Sequence, residues 1–206
     1  MKAKNINKLS LVIVLLLGIC CFFACNSKSE YHQTVERELA SGVRYDSLFF
    51  GFHFGMSSKD FYDHCWKMNK KGSFRQGATN HTVWAKIVEL DYPAGMDFYP
   101  NFYEDKIAGM PVTFTYDSWA PWNKHLGADS LKLDVVELLE KWYGKGFIKI
   151  KNPAKLKLAG DAYVKVDGNR RITVYNKDDT KVIVDYIDLT KKEEMEALLA
   201  EIKKKK

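Results

Sequence analysis

YVKVDGNRRITVYNKDDTKVIVDYI, residues 163–187, contains three apolar runs separated by two short polar breaks. Tyr163 to Val166, Ile172 to Tyr175 and Val182 to Ile187 are rich in the β-branched and aromatic residues that suit a pleated surface. Asp167-Gly168 and Asp178-Asp179 between them supply turns. Strands that follow one another through tight turns pair antiparallel, which points to an α+β fold and away from a wound parallel sheet.

Working outward, Phe147 to Ile150 reads as a further strand. Ahead of it a helix is expected to start at Asp129 or Ser130, with Leu131, Val135, Leu138, Leu139 and Trp142 on one side and Gly144 and Gly146 as its stop. Beyond the meander, Thr190 with Glu193 three residues later forms a capping box for a final helix lined by Met195, Leu198, Leu199 and Ile202.

The first half repeats this order. Leu48 to Phe54 is an apolar, aromatic run closed by Gly55 and reads as a strand. Ser57 or Ser58 then caps a helix over residues 59–70, with Phe61, Cys65 and Met68 as its apolar stripe. Thr82 to Leu90 is strand-like. Asp97 to Tyr103 and Pro111 to Tyr116 form an expected pair turned at Glu104-Asp105-Lys106, and Val112, Phe114 and Tyr116 alternate with Thr113 and Thr115. The expected architecture is two helix-then-antiparallel-hairpin units plus a C-terminal helix, in one α+β domain over residues 46–206, divisible into halves at 46–126 and 127–206.

The N-terminus is of another kind. Lys2, Lys4 and Lys8 precede an apolar run of sixteen residues, Leu9 to Ala24, that ends in Phe22-Phe23-Ala24-Cys25. This resembles the lipobox of bacterial envelope lipoproteins, with Phe22 where Leu is commoner. The resemblance implies a signal peptide over residues 1–24, acylation of Cys25 by more than one chain, and firm membrane attachment. Asn26 after the Cys implies the outer membrane, facing the periplasm. The alternative is an uncleaved anchor helix, although the run is short of the roughly 20 residues a span needs. Residues 25–45 are polar, with one helical stretch from Thr34 to Leu39, and read as a tether.

Removing the signal lowers the net charge from +6 to +3, because three of the 32 basic residues leave and all 26 acidic ones stay. The remaining charges are mixed along the chain, so no basic face for nucleic acid is expected. Lys203 to Lys206 read as a solvated helix end. Of four cysteines, Cys20 and Cys21 lie in the signal and Cys25 is the lipidation site, so Cys65 has no partner for a disulfide.

The strand, Gly55-Met56-Ser57, charged helix and hairpins resemble small envelope lipoproteins related to the β-lactamase-inhibitor fold, a group that includes the small lipoprotein of the barrel-assembly machinery. That resemblance implies a protein-binding role without chemistry.

Enzyme signals are weak. His64 and Cys65 are adjacent on a helix and diverge by about 100°, so they form no dyad. Asp60 and His64 share a helix face, but a zinc site needs three or four ligands and the other histidines are scattered. No nucleophile elbow, phosphate loop or zinc-protease motif occurs. No metal, cofactor or catalytic residue is expected.

Aromatic segments carry the binding expectation. Tyr92 to Tyr103, with Phe98 and Tyr99, and Tyr116 to Asn123, with Trp119 and Trp122, are dense in rings. Aromatics also fill cores, so both readings stay open, and Ala120-Pro121 marks the second segment as a loop. Asp46-Ser47-Leu48 and Asp129-Ser130-Leu131 resemble O-glycan acceptor sites of some Gram-negative envelopes. The leading expectation is a lipid-anchored envelope protein that binds another protein. The alternatives are a carbohydrate binder using Trp119, Trp122 and Tyr99 as stacking platforms, and an enzyme of unrecognised type.

Overall fold

The computed structural model describes residues 29–79, 81–151 and 160–192. The chain divides into two compact units, residues 1–33 and 34–206. Cys25, the apolar run before it and the final helix from Glu193 onward lie outside the described residues. No helix among the described residues is long and apolar enough to cross a membrane.

Three helices are described: α1 (Glu30–Ala40), α2 (Ser58–Lys70) and α3 (Ala128–Tyr143). Nine strands form one sheet: β1 (Phe74–Gln76), β2 (Val83–Ile87), β3 (Ala94–Phe98), β4 (Asn101–Tyr103), β5 (Lys106–Tyr116), β6 (Ile148–Ile150), β7 (Ala162–Asp167), β8 (Arg170–Asn176) and β9 (Lys181–Asp188). Their order is β1-β2-β3-β5-β9-β8-β7-β6, with β4 paired to β5 beyond the end of β3. Every pairing is antiparallel, so the fold is α+β. The strands on either side of residue 127 share this sheet, joined where Gly109 to Thr115 of β5 pair with Lys181 to Ile187 of β9.

The meander forms as its turns dictate. Asp167 pairs with Arg170, so Gly168 and Asn169 make a two-residue turn. Gly168 has φ +50, and a Cβ there would lie 2.1 Å from the Val43 carbonyl oxygen, so only glycine fits. At the next turn the Asp178 carboxylate accepts from the Thr180 N–H at 2.9 Å. Glu104 and Asp105, at φ +48 and +60, form the turn between β4 and β5. Asp105 is held there by the hydroxyl of Ser58 on α2.

Ser57 is the N-cap of α2, accepting from the Asp60 N–H at 3.1 Å. The start of α3 differs from expectation. Gly127 is its cap residue, Ala128 N–H donates to the Asp179 carbonyl, and Asp129 and Ser130 lie in the first turn. The β8–β9 turn therefore does what a capping side chain was expected to do. Gly144, at φ +81, ends the helix as expected.

Three expected strands change. Leu48 to Phe54 is a tight turn: Phe50 and Gly51 both have positive φ, and the Leu48 N–H reaches the Phe52 carbonyl. Its rings fill the core, and aromatic density reads alike in a strand and in a core-filling turn. Asp97 to Tyr103 breaks at Tyr99-Pro100 into the end of β3 and all of β4. β5 starts at Lys106, not Pro111, and Pro111 falls between the β3 and β4 pairings, beside a register shift. β1, three residues long, carries no periodicity that a sequence could show.

One face of the sheet carries the core. Met110, Val112, Phe114, Ile172, Val174, Val182, Val184 and Tyr186 pack with Leu131, Val135, Leu138 and Leu139 of α3. Phe61 of α2 and the rings of Phe49, Phe52, Phe74 and Phe98 complete it.

The segment after α1 straps onto the β7–β8 turn. Glu38 accepts from the Gly168 N–H at 3.1 Å, the Tyr45 N–H donates to Asn169 Oδ1 at 2.7 Å, and Arg44 pairs with Asp188 at 3.0 Å.

Candidate binding surface

The register Ile87–Ala94–Tyr116 brings the ends of β2, β3 and β5 to one end of the sheet. Two loops leave there, residues 88–93 and 117–127. They are tied together: the Asp117 N–H donates to the Pro93 carbonyl at 3.0 Å, and the Tyr92 and Tyr116 rings meet edge-on at 6.1 Å. The Tyr116 hydroxyl donates to Asp134 of α3 at 2.5 Å, and its ionisation is pushed up by burial and by that bond.

The longer loop is internally bonded. Asn123 N–H reaches the Ala120 carbonyl, and Leu126 N–H reaches the Asn123 carbonyl. Leu126 and Ala128 then enter the core. With both ends fixed, the indoles point outward: Trp119 is 40 % exposed and Trp122 is 86 % exposed. Val88 and Tyr92 of the neighbouring loop are exposed as well. Among the described residues no ring contact involves either indole. The two loops therefore carry the exposed side chains of Val88, Tyr92, Trp119 and Trp122 together with the carboxylates of Asp91 and Asp117.

Other expected binding residues lie elsewhere. Phe98 is 1 % exposed, packed among Phe49, Phe52 and Phe74, and belongs to the core. Tyr99 is half-buried at the far end of β3, about 17 Å along the strand from Ala94. Its hydroxyl bonds that of Tyr62 at 2.6 Å, and this bond, with burial, pushes its ionisation up to about 12. The expected stacking platform of Trp119, Trp122 and Tyr99 is therefore not assembled, because Tyr99 sits across the sheet. Ser47 is exposed, and Ser130 is half-buried in the first turn of α3.

Cys65 is half-buried on α2, and burial pushes its thiol up to about 12, far from a reactive thiolate. His64 Nε2 meets the Phe50 carbonyl at 2.8 Å, while Asp60 accepts from Ser57, so the two do not converge. No group of three or more His, Cys, Asp or Glu among the described residues could hold a metal.

A cavity of about 550 Å³ that the sequence did not announce lies between the Ser47–Phe50 turn and the end of α3. Its walls are Leu48, Phe49, Phe50, Trp142 and Tyr143, with Glu89 and Arg170 as its charges. Arg170 is buried, donates to the Ser47 carbonyl at 2.6 Å and to Asp167 at 2.9 Å, and lies over the Tyr143 ring at 4.4 Å. Lys165 shares Asp167 at 2.6 Å. These bonds fix the end of α3 to the β7–β8 turn. Trp84 is no platform either: Arg75 covers one side of it at 3.4 Å, and its indole fills the space above Gly95.

No family model, no curated protein and no solved structure matches the chain.

Proposed function

We propose that the chain is a lipid-anchored, non-enzymatic protein of the bacterial cell envelope, held in the outer membrane through Cys25 and facing the periplasm, that binds another protein. Its architecture is read as two helix-then-hairpin units with a closing C-terminal helix, in the manner of small envelope lipoproteins. The observation that carries the binding role is the exposure of Trp122 and Trp119 on a loop bonded at both ends. An indole held in water by a fixed loop gives up the roughly 1.5–3 kcal/mol that burying a large apolar side chain yields. Interface energy concentrates in such residues.

Replacing both Trp119 and Trp122 with Ala should leave the melting temperature within about 2 °C, as for other exposed positions. Photo-crosslinking from residue 120 in the native envelope should trap a protein that is no longer trapped when Trp119 and Trp122 are both replaced with Ala. A large fall in stability, or crosslinks to glycan alone, would remove the proposal.

The anchor has its own test. Cys25→Ala should abolish fatty-acid labelling and leave the chain unprocessed at this site. Labelling that persists in this variant would refute the assignment.

A further inference from the structure

The second face of the sheet, opposite the core that α2 and α3 cover, is buried over β7, β8 and β9. Partners across antiparallel strands share a face, so Val164–Thr173–Asp185 and Val166–Arg171–Ile187 form rows opposite the core. Ala162 is 0 % and Val164 1 % exposed, and Val166, Arg171, Thr173 and Ile183 are buried too. The four apolar members of this set lie outside the core cluster that α2 and α3 cover. α1 buries none of its own residues fully, although Tyr31, His32, Thr34, Val35 and Glu38 are half-buried. Toward β3 and β2 the same face is polar, with Thr113, Thr115 and Asp97 half-buried and Lys86 exposed. The buried side chains named above all come from β7, β8 and β9. Beside them the Asp185 carboxyl, bonded by Tyr175, is pushed up by loss of water.

We propose that residues 193–206 dock on this face. The described chain leaves β9 at Asp188, beside the β7–β8 turn, and continues through a 3-10 turn, Leu189–Lys191. Fourteen residues follow Lys192. As a helix they would span about 21 Å, close to the length of the seven-residue strand β8. Met195, Leu198, Leu199 and Ile202 recur at i, i+3, i+4, i+7 and form one apolar stripe to meet Val164, Val166 and Ile183. Residues 152–159 are the weaker occupant. They number eight, and Lys155 and Lys157 interrupt their apolar residues.

The test uses the full chain with a photo-crosslinking amino acid at position 198. Intramolecular crosslinks to β7, β8 or β9 are the expected result. Crosslinks to α3, to residues 152–159 or to a second copy would overturn the docking. A companion variant, Leu198→Glu with Leu199→Glu, should raise the fluorescence of an apolar-surface dye several-fold and speed amide exchange in β7 and β8. Exchange and dye binding unchanged from the parent would overturn it as well.

Discussion

Replacing Phe52 with Ala should lower the unfolding free energy by about 3–5 kcal/mol, the range for truncating a buried aromatic. Phe52 is fully buried, and its ring meets those of Phe49, Phe61, His64, Phe74 and Phe98 at centroid distances from 4.9 to 6.0 Å. The gap left behind cannot close easily. The turn that presents Phe52 is pinned by Phe54 N–H to the Asp46 carbonyl, by Leu48 N–H to the Phe52 carbonyl and by His64 to the Phe50 carbonyl. The surrounding rings come from α2, β1 and β3, each fixed by its own bonds. Urea denaturation should show a lower midpoint with an unchanged slope. A loss below about 1 kcal/mol would mean that this turn is not part of the core.

Arg170→Ala should cost a similar amount, about 3–5 kcal/mol, as expected when a large buried side chain is truncated and a buried acceptor loses its donor. The guanidinium is buried and joins three elements: the Ser47 carbonyl, Asp167 and the Tyr143 ring. Its loss leaves the Ser47 carbonyl without that donor and opens a void beneath Tyr143. Lys165 stays on Asp167, so the carboxylate keeps one cation. Arg170→Met should therefore lose less than Arg170→Ala, since the methionine refills the space. Equal losses for the two variants would show that charge, and not packing, sets the cost.

The second half of the fold was legible because each local signal agreed with the tertiary one. Alternation, turn residues and the glycine at residue 144 place β7, β8, β9 and the end of α3 to within a residue or two. The first half was harder to read. Leu48 to Phe54 has strand composition, yet Phe50 and Gly51 adopt positive φ, which no apolar pattern encodes. β1 exists because β2 offers it a partner, not because Phe74-Arg75-Gln76 favours a strand.

The candidate surface was legible in part. Pro121 marked the Trp119–Trp122 segment as a loop, and tertiary bonds at both ends of that loop decide that the indoles face outward. Phe98 shared the same aromatic density but belongs to the sheet, where alternation sent it inward, and Tyr99 falls in the break after β3. Arg170 was invisible as a buried residue, since its partners Ser47 and Tyr143 come from distant parts of the chain.

The strap along residues 38–46 decides how the folded unit meets tension. A pull arriving from the N-terminal side reaches Glu38 first, then Arg44 and Tyr45, each tied near the β7–β8 turn. Glu38 is tied by itself, whereas Arg44, Tyr45 and Asp46 share Asn169 and Asp188 and take the load as one network. The next point of load is the turn that inserts Phe49 and Phe52 among the rings of the core. There the chain can advance only by withdrawing several rings together. The strap thus stands between a pull from the N-terminal side and the aromatic knot, and its polar bonds are the first to be loaded.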